Sequence, residues 1–258
     1  MHNLFSFQRF GRLFRKHTAE HLREYLMGAA VLFGAMLVVM GGLSYLNSGS
    51  MNTSVQTMFF ALFLLGAGAF FTSTIFQQFG FKNRAIAALC LPASTLEKYL
   101  VGWIYSFVLF LLVYVPVFYL ANSIVLLLFN TPSGYHEAMD LFDPQDQPYT
   151  ILYAYAVLHA VMLVGAIFFE KAQFVKTGFV VFGVLGVLTL VNFQVLKTMF
   201  GAELVTTLPF TGANFRTMNS FYRVDLPETQ MQWIGLVFVV LTVLFWTVAY
   251  ARLREKQV

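Results

Sequence analysis

The chain has 258 residues, of which 59% are hydrophobic and 11% charged, whereas roughly a quarter of an ordinary soluble domain is charged. Its formal net charge of +4 is gathered in short clusters between long uncharged blocks, which reads as membrane topology and excludes a nucleic-acid footprint as the source of the basicity. With a single cysteine, Cys90, no internal disulfide can form, and the thiol reads as a packing residue.

Residues 1–24 place Leu4, Phe7, Phe10, Leu13 and Phe14 at helical spacing, with Arg9, Arg12, Arg15 and Lys16 largely elsewhere. That stripe predicts an amphipathic helix lying at the cytoplasmic membrane interface or against a partner. From Tyr25 to Phe81 no Lys, Arg, Asp or Glu occurs, and further uncharged blocks cover Tyr99–His136, Gln147–Phe169, Thr177–Leu196 and Thr229–Ala251. A helix crosses the ~30 Å hydrocarbon layer in about 20 apolar residues, because only internal pairing satisfies its backbone there. The first block holds two spans and the others one each. The expected fold is therefore all-α, a polytopic bundle over 25–250 with spans near 25–46, 55–76, 100–127, 149–169, 176–197 and 231–250, followed by a basic tail at 251–258.

Between the second and third spans, Ala85–Leu91 is apolar but too short to cross, and Pro92 breaks any helix there. Ser94 and Glu97 then have the spacing of a capping box opening the third span. That span is overlong and contains Pro116, so a tilt or kink is expected, either as packing geometry or as a hinge. The 198–230 segment, aromatic and punctuated by Pro209 and Pro227, is too polar for a confident span. It is expected to form short helices at the outer surface or a partly re-entrant segment.

Lys and Arg decide the orientation. On the side of the amino terminus lie Arg9, Arg12, Arg15, Lys16, Arg23, Lys82, Arg84, Lys98, Lys171, Lys176, Arg252, Arg254 and Lys256, thirteen residues against Lys197, Arg216 and Arg223 opposite. The bias predicts cytoplasmic termini in a bacterial inner membrane, with some attraction to anionic headgroups. The acidic stretch Glu137, Asp140, Asp143 and Asp146 then lies outside.

Little in the chain suggests catalysis. Ionisable groups at membrane depth usually serve a task, and His159 is the only histidine inside a predicted span. It reads either as a residue satisfied by a neighbouring helix or as a substrate or gating contact. Gln56, Asn122, Asn192 and Gln194 add uncharged polar groups; Asn192 and Gln194, two apart, face different directions. Gln56, Pro116, His159, Asn192 and Gln194 are the candidates for a conduit or for packing. No metal-binding His-Glu-x-x-His, no Cys-x-x-Cys, no nucleophile elbow and no phosphate-binding loop occurs, so no cofactor is expected and any ATP hydrolysis must come from another chain. Small-residue steps at Gly66–Ala69 and at Gly178, Gly183 and Gly186 would allow close helix approach.

The basic amino-terminal segment, the six spans and the connection Lys82-Asn83-Arg84 through Leu91-Pro92-Ala93-Ser94-Thr95-Leu96-Glu97-Lys98 resemble the permease subunits of ABC-2 type transporters, in particular small six-span forms from Bacteroidetes-type bacteria. The resemblance in topology covers nearly the whole chain, and the distinctive motif about ten residues. It implies a type V exporter-like fold, a second permease copy or homologue forming a dimer, and a separately encoded cytosolic ATPase. It further implies that Lys82–Leu91, extending toward Glu97, acts as a coupling helix, which makes Lys82, Arg84, Leu91, Pro92, Ser94, Glu97 and Lys98 the coupling candidates. A conduit would lie at the dimer interface, with short outer helices over 198–230. The loop after the first span is short and no large outer domain is present, unlike subfamilies that carry one. Two other classes stand beside this reading, a non-transport scaffold or immunity-type subunit and an ion-coupled secondary carrier.

Overall fold

The computed structural model describes residues 5–46, 51–75, 93–129, 137–143, 147–200, 204–207, 213–217, 220–224 and 228–255. Its elements, in chain order, are α1 (Phe7–Leu46), α2 (Thr53–Ile75), α3 (Thr95–Trp103), a π-helical turn (Ile104–Leu109), α4 (Phe110–Phe129), α5 (Thr150–Phe168), α6 (Gln173–Phe200), β1 (Leu204–Thr207), β2 (Ala213–Thr217), β3 (Ser220–Val224) and α7 (Glu228–Glu255). The run Thr95–Phe129 is one continuous rod, so six helices are long and apolar enough to cross a membrane. The protein is thus a multi-pass α-helical membrane protein in its architecture. Each predicted span coincides with one of these helices to within five residues at either end, the start of the first excepted.

The first helix differs from expectation. The segment 1–24 does not form a separate interfacial helix: α1 runs unbroken for 40 residues, about 60 Å at 1.5 Å per residue. The reason is lateral support. The side of its first turns carrying Phe10, Phe14, Thr18 and Tyr25 lies against the third span, with Phe14 and Tyr25 5.0 and 5.5 Å from the Tyr105 ring and Thr18 hydrogen-bonded to the Tyr105 hydroxyl. Tyr25 also meets Phe71 of α2 edge-on at 5.3 Å. With Phe14, Thr18 and Tyr25 held by protein, these turns continue the helix without a break, while Phe7 at its start remains 82% exposed.

A second departure is the 198–230 segment. In place of short helices, β1, β2 and β3 form an antiparallel meander in the order β1-β2-β3. β2 and β3 pair in register from Ala213 with Val224 to Thr217 with Ser220, and a bulge interrupts β1 between Leu204 and Thr206. Val, Thr, Phe and Tyr dominate these three runs, residues that suit a pleated surface better than a short helix.

Two buried clusters hold the spans together. The larger joins Met36 and Met40 of α1, Phe60 and Leu64 of α2, Tyr114, Phe118 and Val125 of α4, and Tyr155 of α5, with Phe60 edge-on to Tyr114 and Phe118 at 5.4 and 5.1 Å. The smaller joins Tyr99, Leu163, Ala166, Ile167, Ala249 and Leu253 from the third, fourth and sixth spans. Lipid is as apolar as these side chains, so close packing and polar contacts supply what the hydrophobic effect supplies in water. Close packing explains two glycines. A Cβ on Gly68 would lie 2.3 Å from the Tyr155 ring, and one on Gly165 would lie 1.9 Å from Thr177 Oγ1. Gly66, Gly178, Gly183 and Gly186 meet nothing within 4 Å, so the expected close approach occurs at one small-residue step and not at the other.

Candidate functional site

Three polar junctions tie the bundle, and four of the coupling and conduit candidates, Ser94, Glu97, His159 and Gln56, lie in them. The first is at the entry to the third span. Ser94 accepts a hydrogen bond from the Glu97 amide, and Glu97 Oε2 accepts one from the Ser94 amide at 2.9 Å, the reciprocal box that the Ser-x-x-Glu spacing predicts. The second carboxylate oxygen reaches across to the arm. It accepts from the Ser6 amide at 2.8 Å and from Arg9 Nη2 at 3.1 Å. The Glu97 side chain is fully buried while that of Arg9 is 36% exposed.

Glu97 stands ahead of the uncharged run that begins at Tyr99. Burial works against its charge, but the Ser94 and Ser6 amides and the Arg9 guanidinium outweigh that and hold its carboxyl below the usual range. A carboxylate with this donor set is a fixed anchor and a poor proton shuttle. Lys98 follows it, half-buried. Lys82, Arg84, Leu91 and Pro92 lie outside the described residues.

The second junction surrounds His159, which is fully buried. The Trp246 indole N–H donates to His159 Nδ1 at 3.1 Å. An indole can only donate, so Nδ1 carries no proton, and Nε2, 2.9 Å from Ser106 Oγ, donates to it. The Ser106 hydroxyl in turn donates to the Gly102 carbonyl at 2.8 Å. This directed chain leaves neither ring nitrogen over and ties the third, fourth and sixth spans with the imidazole neutral. Tyr99 adds a bond from its hydroxyl to the Trp246 carbonyl at 2.8 Å.

Ser106 lies within the π-helical turn, where the Phe110 amide reaches the Tyr105 carbonyl five residues back. The Tyr155 hydroxyl donates to the Ser106 carbonyl at 2.7 Å, so the widened turn is supported from α5. Neighbouring side chains of this turn serve different partners, Tyr105 the arm and Ser106 the His159 junction.

The third junction is at the opposite end. Gln56 is fully buried. Its Nε2 donates to the Met51 and Glu137 carbonyls at 3.0 and 2.9 Å, and its Oε1 accepts from Asn122 Nδ2 and the Met139 amide, both at 2.8 Å. Tyr119 donates to the Met139 carbonyl at 3.0 Å and accepts from the Leu141 amide at 3.1 Å. These bonds seat Met139 and Leu141 in the larger core. Gln56 is thereby a packing residue with all four of its amide bonding positions used.

The remaining candidates lie away from these junctions. Pro116 is exposed on α4, so the carbonyl it leaves unpaired in the ladder is not aimed at the core. On α6, Asn192 is half-buried and Gln194 exposed. The partners that sequence reasoning missed, Ser6, Arg9, Ser106 and Trp246, lie 53 to 91 residues from the groups they bind, and no local spacing announces them. No protein-family model, no curated protein and no solved structure matches the chain.

Proposed function

We propose that this protein is the membrane-spanning permease subunit of an ATP-binding cassette transporter, an exporter in a bacterial inner membrane with both termini in the cytoplasm. It acts with a second permease subunit and a separate cytosolic ATPase. The Glu97 junction carries the reading. It follows directly on the basic segment 82–92, which ends in Pro92, and one buried carboxylate there accepts three hydrogen bonds, from Ser94 at the start of the third span and from Ser6 and Arg9 of the arm of the first.

A push delivered to that segment by an ATPase would therefore move the first and third spans together. The His159 junction would pass the displacement to the fourth and sixth, because rigid helices joined by discrete polar contacts shift as units. The thirteen-to-three Lys and Arg bias supports the orientation. The saturated, neutral His159 weakens the ion-coupled carrier reading, since proton coupling would draw on an ionisable group at that depth.

The test is to purify the tagged chain in mild detergent and identify its stoichiometric partners by mass spectrometry. An ABC ATPase should co-purify, and should be lost when residues 82–91 are replaced by a Gly-Ser segment of equal length that leaves helicity unchanged. An intact, folded preparation that repeatedly yields no ATPase would refute the proposal and turn attention to a scaffold subunit.

A further inference from the structure

His17 and His21 stand one turn apart on the side of α1 that faces the third span, with ring centres 4.7 Å apart and planes at 47°. Side chains at i and i+4 lie one above the other on a helix, so their nitrogens can converge. An ion about 2.1 Å from each nitrogen lies roughly 3.2 Å from each ring centre, and centres 4.7 Å apart then correspond to an N–metal–N angle of roughly 95°, within the range for four-coordinate ions.

The protonation pattern suits a ligand. His21 Nδ1 is 3.0 Å from Glu24 Oε2. A carboxylate only accepts, so this bond keeps the proton of a neutral ring on Nδ1 and the lone pair on Nε2. A carboxylate on the far nitrogen is the support that metal-binding histidines characteristically have. His17 Nε2 is 2.6 Å from the Tyr25 hydroxyl, so a further oxygen ligand stands beside that ring. His17 and His21 are both half-buried and Glu24 is exposed, so the site is reachable from water yet walled on one side by the Tyr105 ring, 4.5 Å from His17.

We propose that His17 and His21 form a two-histidine site for a borderline transition-metal ion such as Zn2+ or Cu2+, with the Tyr25 hydroxyl and water completing its coordination and Glu24 orienting His21. Among the described residues no three His, Cys, Asp or Glu side chains converge. The site is therefore open and exchangeable, in contrast to a closed structural one. An ion there bridges two successive turns of the arm and takes the Tyr25 hydroxyl from His17. The proposal is independent of the transporter reading, because it concerns only α1 and its contacts.

The test uses the full chain, purified in detergent through a tag without histidines, and equilibrium dialysis against Zn2+ and separately Cu2+. One saturable equivalent is expected. His17→Asn and His21→Asn should each weaken it at least about tenfold, and Glu24→Gln should weaken it less than either. The His2→Asn/His136→Asn double variant should bind as the parent does. Paramagnetic resonance of the Cu2+-loaded parent should show two coordinated nitrogens, a readout that needs no variant to fold. Absence of saturable binding, binding that survives in His17→Asn/His21→Asn, or a nitrogen count other than two overturns the assignment.

Discussion

The fourth and fifth spans are adjacent in the chain and similarly apolar, yet the structure uses them oppositely. Of the most apolar window of α5, 44% is buried; of that of α6, none. α5 sends Tyr155, His159 and Leu163 into the interior, whereas α6 engages chiefly by its first turn, where Gln173 donates to the Ala166 and Phe169 carbonyls at 2.7 and 2.9 Å and Thr177 sits over Gly165. Beyond that turn Phe179, Phe182 and Leu190 are 80%, 76% and 69% exposed. Apolar content establishes that a helix crosses. Polar partners and close-approach glycines establish whether it is held.

The largest effect should come from the held side. Gln56→Leu keeps the volume but deprives the Met139 amide and the Asn122 amide of their acceptor, and each buried group left unpaired costs about 1–3 kcal/mol. A fall in thermal midpoint in detergent, with release of the 137–143 segment to limited proteolysis, is the expected outcome. An unchanged midpoint would mean that the junction at this end is not what holds the bundle.

Next in size is Gly165→Ala. The new methyl meets Thr177 Oγ1 at 1.9 Å, and overpacking of this kind costs about 1–3 kcal/mol. Thr177→Ala should restore part of the midpoint, because it removes the two nearest atoms, Oγ1 and Cγ2, while the Cβ it keeps stays 2.7 Å from the new methyl; the Oγ1 it removes is also a buried oxygen with no hydrogen-bond partner among the described residues. Rescue would place the strain at this contact and not in α5 itself.

The held and unheld spans were equally legible in the sequence as spans, because a charge-free block of sufficient length needs no tertiary information. Local chemistry was legible too. Ser94 and Glu97 form their box because both halves of it lie within one helical turn. What was not legible depends on distant partners. The arm continues α1 without a break where Tyr105 supports it, and nothing between Phe7 and Tyr25 signals continuity over a break. The π-helical turn is sustained by Tyr155 from another helix. The three-stranded meander did have a local signal, since Val-Thr-Thr, Asn-Phe-Arg and Phe-Tyr-Arg are strand-like runs. The short helices expected there rested on the segment being too polar for a span and on the family resemblance, neither of which weighs strand propensity.

Acid should loosen the arm at a definite place. A carboxyl whose pKa is lowered by folding stabilises fully above its ordinary value of 4.5 and loses that contribution as the pH falls through the folded value. The midpoint of the parent should therefore exceed that of Glu97→Gln by a constant amount at neutral pH, and the gap should narrow in acid. Glu97→Gln keeps the shape but cannot accept from Arg9 as a charged pair, so a gap independent of pH would mean that the carboxylate works there only as a neutral acceptor.

The smallest effects belong to α6 beyond its first turn. A Cβ on Gly183 meets nothing within 4 Å and Gln194 is exposed, so Gly183→Ala should raise the midpoint slightly, by up to about 1 kcal/mol of helix propensity, and Gln194→Leu should leave it within about 0.5 kcal/mol. These near-zero outcomes carry information when read beside transport. Under the permease proposal the span that a single subunit leaves unheld is the one available to a second subunit or to the conduit. Gln194→Leu should then alter export in reconstituted vesicles while leaving the midpoint of the isolated chain unchanged. A loss of stability without a change in export would reverse the comparison, and would make α6 a packed member of the bundle whose partners lie outside the described residues.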